Sequence, residues 1–376
     1  IPTVGTALAA SQVLIRAVDA GGMRSIDPSI STDVPAAHVL DDLFEGLTRL
    51  DERGEPVPGV AASWETSADG RTWTFHLRPA QWSNGAPLRA GDFVYAWRRT
   101  VDPATASDYA QALAPVSNAL AISTGQLPAS ALGISAPDER TLRVTLNAPT
   151  PYLLSLLSKS YTYPQYEPAI RAHGDDWVRP GNIVSNGAFV LREYVIGGRV
   201  TLERNPRYWD AAHVRLQRVV YLPLDRAVQT ARFFAGELMF TDSFSAEQTA
   251  WLRARLGSQV VSAPYLGNFV LGLNVQRPPF AGNRNLRMAL TLGVDRETLV
   301  RYVRQGLYQP AWTPTPPLPG YQAPVSEWAR LPEADRHALA RRYYAAAGYS
   351  AQHPLRVALH YPTDSDNRRT YEAVAA

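Results

Sequence analysis

The stretch Ala61–Arg99, AASWETSADGRTWTFHLRPAQWSNGAPLRAGDFVYAWRR, decides the local architecture around it. Asp69-Gly70 is a strong hairpin signal, because glycine tolerates positive φ. After it, Trp73, Phe75 and Leu77 alternate with Thr74, His76 and Arg78. That period of two predicts a strand with one buried face. Ser83-Asn84-Gly85 predicts a second turn. Gly91-Asp92 then opens a run in which Phe93, Val94 and Trp97 share helical spacing, with Asp92 placed to cap the helix. Preceded by the amphipathic lead-in Ala62-Ser63-Trp64-Glu65, the stretch reads as hairpin, turn and helix pinned by tryptophans.

Working outward, the chain of 376 residues is too long for one ordinary domain and suggests two or three. A hydrophobic fraction of 45% and a charged fraction of 19% are those of a soluble globular protein. No apolar run approaches the roughly 20 residues needed to span a bilayer. The chain has no cysteine, which excludes a disulfide framework, thiol catalysis and a lipid-modified cysteine in the chain as given. It starts at Ile1 without a leader, as a mature secreted protein or a trimmed piece would. Lys159 is the only lysine; every other cation is arginine, which reads as a bias of genome composition. Basic residues are scattered rather than interleaved with aromatics, so a nucleic-acid surface is not expected. The 30 prolines are dispersed except around Pro310–Pro319, which reads as a rigid surface loop.

Other segments carry their own signals. Gln12–Arg16, Thr141–Asn147, Val219–Pro223, Tyr265–Asn274 and Leu355–Tyr361 read as strands. Ala36–Leu47, Ala227–Ala235, a run bearing Leu286 to Leu292, one opening at Val294-Asp295 and Glu333–Ala347 read as helices, the last closed by Gly348. Asn186-Gly187 reads as a tight turn between strands.

Four further matches join the opening stretch. They are Asp42-Leu43-Phe44-Glu45-Gly46-Leu47, the run Asp176–Phe189, the run Leu202–Asp210, and the strand-helix-helix pattern from Tyr265. Together these resemble the extracytoplasmic peptide-binding proteins of ABC transporters, most of all the oligopeptide branch. The resemblance implies an α/β, periplasmic-binding-protein-like fold, two lobes around a cleft with an extra small domain. It implies a discontinuous first domain (1–47 and 164–262), a small second domain (48–163) and a third domain (263–376). Against the family pattern the chain looks truncated at its C-terminus, where anchors for peptide termini are expected.

The function implied is capture of short peptides in the cleft, mainly through backbone hydrogen bonds and hinge closure. The loop Thr32, Asp33, Val34 corresponds to one that pairs its backbone with bound peptide, although it equally fits a plain capping loop. Tyr109 aligns with a tyrosine that reaches ligand, or is an ordinary half-buried tyrosine. Asp242 and Ser243 lie where the family places cleft-facing polar groups, and Asp242 equally fits a cap for the helix Ala246–Leu256. Asn268, Phe269 and Val270 lie on the strand expected to line the cleft, and Asn367 at another cleft position. Implied partners are a short peptide and a membrane permease with its ATPases, with no cofactor, no nucleic acid, a monomeric state and a periplasmic location. Rival readings on the same scaffold are a murein-peptide, dipeptide or other solute binder, or a non-transport adaptor.

No catalytic motif competes with this. G-x-S-x-G, H-E-x-x-H, a phosphate loop and G-x-G-x-x-G are absent. His173-Gly174-Asp175-Asp176 is the nearest approach to a metal cluster, and Asp364 with Asp366 is too sparse for calcium.

Overall fold

The computed structural model describes residues 12–21, 23–263, 265, 267–316, 323–361 and 365–375. Asp364, the start of the chain and the end of the Pro310–Pro319 loop lie outside them. The chain divides into two compact units, Ile1–Ser243 and Phe244–Ala376.

In the first unit the elements are β1 (Val13–Asp19), α1 (Val34–Leu43), β2 (Thr48–Leu50), β3 (Pro56–Pro58), β4 (Ala61–Thr66), β5 (Thr72–Leu77), α2 (Ala90–Val101), β6 (Ile134–Ser135) and β7 (Thr141–Thr145). They continue with β8 (Phe189–Tyr194), β9 (Val200–Arg204), β10 (Arg218–Leu224), α3 (Arg226–Phe234) and β11 (Phe240–Thr241). A five-stranded sheet has the order β11-β1-β10-β9-β8, with β1 parallel to β10 and β11 and the remaining pairs antiparallel. A four-stranded antiparallel sheet has the order β4-β5-β7-β6, and β2 and β3 form a short ribbon.

The hairpin read from Asp69-Gly70 joins β4 to β5, and Gly70 takes a φ of +68°. Alternation along β5 buries Phe75 and Leu77 and exposes His76. Leu142 and Val144 of β7 join the same core. Trp82, Trp97, Trp177, Phe44, Phe75 and Phe93 are fully buried. One apolar core runs from these residues to Val219 and Tyr221 of the larger sheet. Burying side chains of this size stabilises the fold by roughly 1.5–3 kcal/mol each.

Two local readings change in this unit. Asp92 is the third residue of α2 rather than its cap. Its Oδ2 accepts from the Arg89 backbone N–H (2.8 Å) and from Trp82 Nε1 (3.0 Å), so it satisfies the helix start from inside. Asn186-Gly187 is not a turn between strands; it precedes β8 and packs against the end of α1. Gly187 donates to the Leu43 carbonyl (2.8 Å), and a Cβ there would come within 2.6 Å of the Leu43–Phe44 backbone. The glycine is required by close approach, not by a turn. Helix α1 also stops at Leu43, earlier than its apolar pattern suggested, because Phe44 is extended at φ −129°.

The second unit holds α4 (Thr249–Leu256), α5 (Arg284–Gly293), α6 (Glu333–Ala346) and α7 (Ser365–Ala375). Asn283 caps α5 by accepting from the Leu286 N–H (3.0 Å), and Leu286, Ala289 and Leu292 are buried on the helix that packs against α6. Asp295 caps only a short turn, Arg296–Thr298, which widens into a π-helical turn over Leu299–Val303. The helix expected from Val294 is therefore shorter than its spacing implied. The strands expected over Tyr265–Asn274 and Leu355–Tyr361 do not form among the described residues. Alternating apolar residues become a strand only when a neighbour supplies a ladder, and no strand lies among the described residues of this unit.

Candidate functional site

The N-terminus of α1 and the chain after it open onto a pocket of about 440 Å³, built wholly within the first unit. Thr32, Asp33 and Val34 form its rim, so the structure brings the predicted loop and Tyr109 to one cavity. Asp33 is the helix cap, extended at φ −104°, ψ 148°; its Oδ1 accepts from the N–H groups of Ala36 (2.8 Å) and Met23 (2.7 Å). The carboxylate is thus committed to the fold, and what the loop offers outward is backbone. Among the described residues no group bonds the N–H of Thr32, Asp33 or Val34. Thr32 is exposed and Val34 is 53% exposed.

Opposite this rim, Tyr109 stacks on Tyr161 with ring centroids 4.8 Å apart. Burial pushes the Tyr161 phenol up to about 12, so that ring stays neutral at physiological pH. Ser107 Oγ donates to the Ser29 carbonyl (2.5 Å) and accepts from the Tyr109 N–H (3.2 Å), fixing the tyrosine's position. Asp41, an exposed residue lining the pocket, accepts from the Tyr163 hydroxyl (2.7 Å). Desolvation raises the Asp41 carboxyl against the opposing influence of Tyr163, His38 and Lys159. Glu45 is buried and accepts from Tyr208 (2.6 Å) and Trp209 Nε1 (2.5 Å); desolvation raises its carboxyl as well. The Asn186 side chain holds the Glu45 backbone at both its N–H (3.1 Å) and its carbonyl (2.9 Å). The pocket therefore has backbone donors at its rim, aromatic faces on one wall, the exposed Asp41 carboxyl and the buried Glu45 carboxyl.

Asp242 and Ser243 lie elsewhere, at the end of β11. Asp242 pairs with Arg16 of β1, and His38 Nε2 lies 3.7 Å from its other oxygen. Ser243 Oγ donates to Asp19 Oδ1 (2.5 Å). Both polar groups are engaged by the unit's own side chains, and Ser245, not Asp242, precedes the helical turn Ala246–Gln248.

In the second unit, Asn268 donates to the carbonyls of Thr313 (3.0 Å) and Pro314 (2.7 Å), tying its segment down. Val270 is 64% exposed. Phe269 and Asn367 meet at Arg304, a residue the sequence reasoning did not single out. Arg304 is buried, lies over the rings of Phe269 (5.2 Å) and Tyr308 (4.8 Å), and donates to Asn367 Oδ1 (3.2 Å). Among the described residues no carboxylate pairs with it. From sequence it is one arginine among many, and only its burial sets it apart. Among the described residues no group of three His, Asp or Glu could hold a metal, and Asp176 is taken by Arg179 (2.6 Å).

With this geometry in hand, the similarities of the chain are specific. The family model of the bacterial extracellular solute-binding proteins, family 5 Middle, matches residues 55–376. The periplasmic oligopeptide-binding protein OppA of Escherichia coli (strain K12) is 39% identical over 378 residues, 99% of this chain and 69% of that protein. The solved structure of the Escherichia coli murein tripeptide binding protein MppA superposes with a TM-score of 0.92 at 36% identity, covering 97% of this chain and 72% of that one. Haemophilus influenzae OppA in complex with RPPGFSPFR gives a TM-score of 0.90 at 35% identity, covering 97% of this chain and 72% of that one. The α/β fold is thus that of the periplasmic binding proteins.

Proposed function

Since the chain belongs to the bacterial extracellular solute-binding proteins of family 5, we propose that it is the substrate-binding component of an ABC importer and captures short peptides. The observation that carries this reading is the rim of the pocket. An extended peptide brings a donor and an acceptor at every residue, and leaving one unpaired on burial costs about 1–3 kcal/mol. The unclaimed N–H groups of Thr32–Val34 supply a short backbone edge to which such a chain adds as a strand. Tyr109 and Tyr161 offer an apolar wall that tolerates many side chains.

The proposal includes the finer assignments. Thr32, Asp33 and Val34 contact the peptide main chain and Tyr109 its side chains, with Asp242, Ser243, Asn268, Phe269, Val270 and Asn367 as further contacts. Buried Arg304, beside Phe269 and Asn367, is suited to a ligand carboxylate. Hinge closure completes enclosure of the ligand. The protein works as a monomer in the periplasm, delivers its cargo to a permease and its ATPases, and catalyses nothing. The first domain takes residues 1–47 and 164–262, the second 48–163 and the third 263–376. Two separate sheets, one from β1 and β8–β11 and one from β4–β7, support the division of the first two.

The test is mass spectrometry of ligand that co-purifies with the protein, together with melting temperature in the presence of varied tri- to pentapeptides. A ladder of short peptides and a rise in melting temperature are expected, because ligand stabilises only the folded state. A single defined murein peptide would move the reading to that ligand, and no shift across the peptide set would remove it.

A further inference from the structure

The tetrapeptide Ser-Asn-Gly-Ala occurs twice in the chain, at residues 83–86 and 185–188, and the chain holds no other Asn-Gly pair. Asn-Gly is the asparagine context most open to attack by the next backbone nitrogen, because glycine puts no Cβ beside that nitrogen. Identical neighbours give the two copies the same intrinsic chemistry, and the fold places them in opposite surroundings.

Asn186 is 2% exposed. Its Oδ1 accepts from the Glu45 N–H (3.1 Å) and its Nδ2 donates to the Glu45 carbonyl (2.9 Å). The Gly187 N–H donates to the Leu43 carbonyl (2.8 Å). Carbonyl, amide nitrogen and neighbouring backbone nitrogen are thus all held by the chain at the end of α1. Asn84 and Gly85 are both exposed, and Gly85 takes a φ of +89°. Asn84 Oδ1 accepts from the Ala86 N–H (3.0 Å), which draws electrons from the amide carbon. Among the described residues nothing holds the Asn84 Nδ2. The Gly85 nitrogen is tied only by an exposed turn bond to the Trp82 carbonyl (2.8 Å), and water replaces such a bond at little cost.

We propose that Asn84 is a site of spontaneous deamidation, and that the fold protects its twin, Asn186. The Gly85 nitrogen gives its proton to solvent and bonds to Asn84 Cγ. The Cγ–Nδ2 bond breaks and ammonia leaves, which closes a cyclic imide. Water then opens the ring at one of its two carbonyls. Opening on the side-chain side leaves an aspartate, and opening on the main-chain side leaves an isoaspartate. Ammonia is exchanged for water, and no electron is gained or lost. The charge that builds on Oδ1 in the first step is received by the Ala86 N–H. The turn that gains a carboxylate lies beside Arg207, whose Nη1 donates to the Ser83 carbonyl (3.1 Å). Arg207 has no carboxylate partner among the described residues. Ser83 also fastens this turn to the second copy. Its N–H donates to the Ser185 carbonyl (2.7 Å), and the Ser185 N–H donates to its Oγ (3.1 Å). An isoaspartate lengthens the main chain next to that clasp and strains it.

The experiment incubates the full chain at mildly alkaline pH and maps it by mass spectrometry over days, with isoaspartate identified by isoaspartyl methyltransferase labelling. Product is expected at Asn84 at least about tenfold faster than at Asn186, because the buried copy waits for its bonds to Glu45 and Leu43 to open. In urea the two rates should converge, since only the fold separates the copies. Asn84→Gln, whose amide would have to close a larger ring, should lose the early acidic form on ion exchange. The isoaspartyl fraction should melt below Asn84→Asp, which carries the same charge on an unaltered main chain. Equal rates at the two copies in the folded chain, or no product at Asn84, overturn the assignment. A gap that persists in urea overturns the protection by the fold, and an isoaspartyl fraction as stable as Asn84→Asp overturns the strain on the Ser83–Ser185 clasp.

Discussion

Arg99 and Asp27 face each other as a bidentate pair, Nη1 to Oδ1 at 2.8 Å and Nη2 to Oδ2 at 2.6 Å, with Asp27 buried. Trp177 Nε1 donates to the same carboxylate (3.1 Å), and Gln165 Oε1 accepts from Arg99 (2.9 Å). The pair ties α2, behind the smaller sheet, to the loop that follows β1 of the larger one. Asp27→Ala leaves a guanidinium in the interior without its counter-charge and should cost about 3–5 kcal/mol. Asp27→Asn keeps the shape and an acceptor but removes the same charge, so it should cost nearly as much. Urea denaturation midpoints at a common slope check this; a clearly smaller cost for Asp27→Asn would mean that shape and hydrogen bonding, not the charge, carry the effect.

Val34 is the first residue of α1, where an N–H has no intrahelical partner and proline is tolerated. Val34→Pro should therefore leave the melting temperature nearly unchanged. It deletes a donor that the bound peptide is proposed to use, worth about 0.5–1.5 kcal/mol, so affinity for trialanine should fall about two- to twelvefold. Unchanged affinity would take the main chain of this loop out of the ligand contact.

Asp42 accepts from the Tyr221 hydroxyl (2.7 Å), beside the His38 carbonyl, which also lies within reach of that hydroxyl (3.1 Å). Desolvation pushes its carboxyl up to about 6, outweighing Tyr221 and Arg16, with neighbouring Asp41 adding to the rise. An unfolded aspartate titrates near about 3.9. The folded protein thus holds a proton that the unfolded chain has released. This contribution to stability is complete below about pH 4 and is lost as pH rises through about 6. Asp42→Asn stays neutral throughout. Its melting temperature should exceed that of the parent at pH 7.5 and approach it at pH 4. Parallel profiles for the two proteins would show that Asp42 does not titrate in this window.

Gly187 sits where α1 ends, with the Leu43–Phe44 backbone within 2.6 Å of any added Cβ. Backbone cannot swing aside as a side chain can, so Gly187→Ala should cost about 1–3 kcal/mol. The same shift would move Phe44 and Glu45 at the pocket base, so trialanine affinity should fall as well. A variant as stable as the parent would show that this packing relaxes freely.

What the sequence by itself determined is what neighbours along the chain decide. The Asp69-Gly70 hairpin, the alternation of β5 and β7, the helix α3 and the long helix α6 ended near Gly348 rest on local turn geometry and periodicity. The loop Thr32–Val34 and Tyr109 were named through family likeness and reach one pocket. Tertiary structure decided the rest. The long apolar run Tyr265–Asn274 reads as a strand, but a strand is a relation between two segments, and pairing is not encoded in either alone. Asp33, Asp92 and Asp242 were each legible as polar and well placed, yet folding chose which donor each would take. Arg304 had no signal in the linear order, where it is one arginine among many. A charge acquires its meaning from the groups left within reach once the core has closed, and only the packed fold assigns those distances.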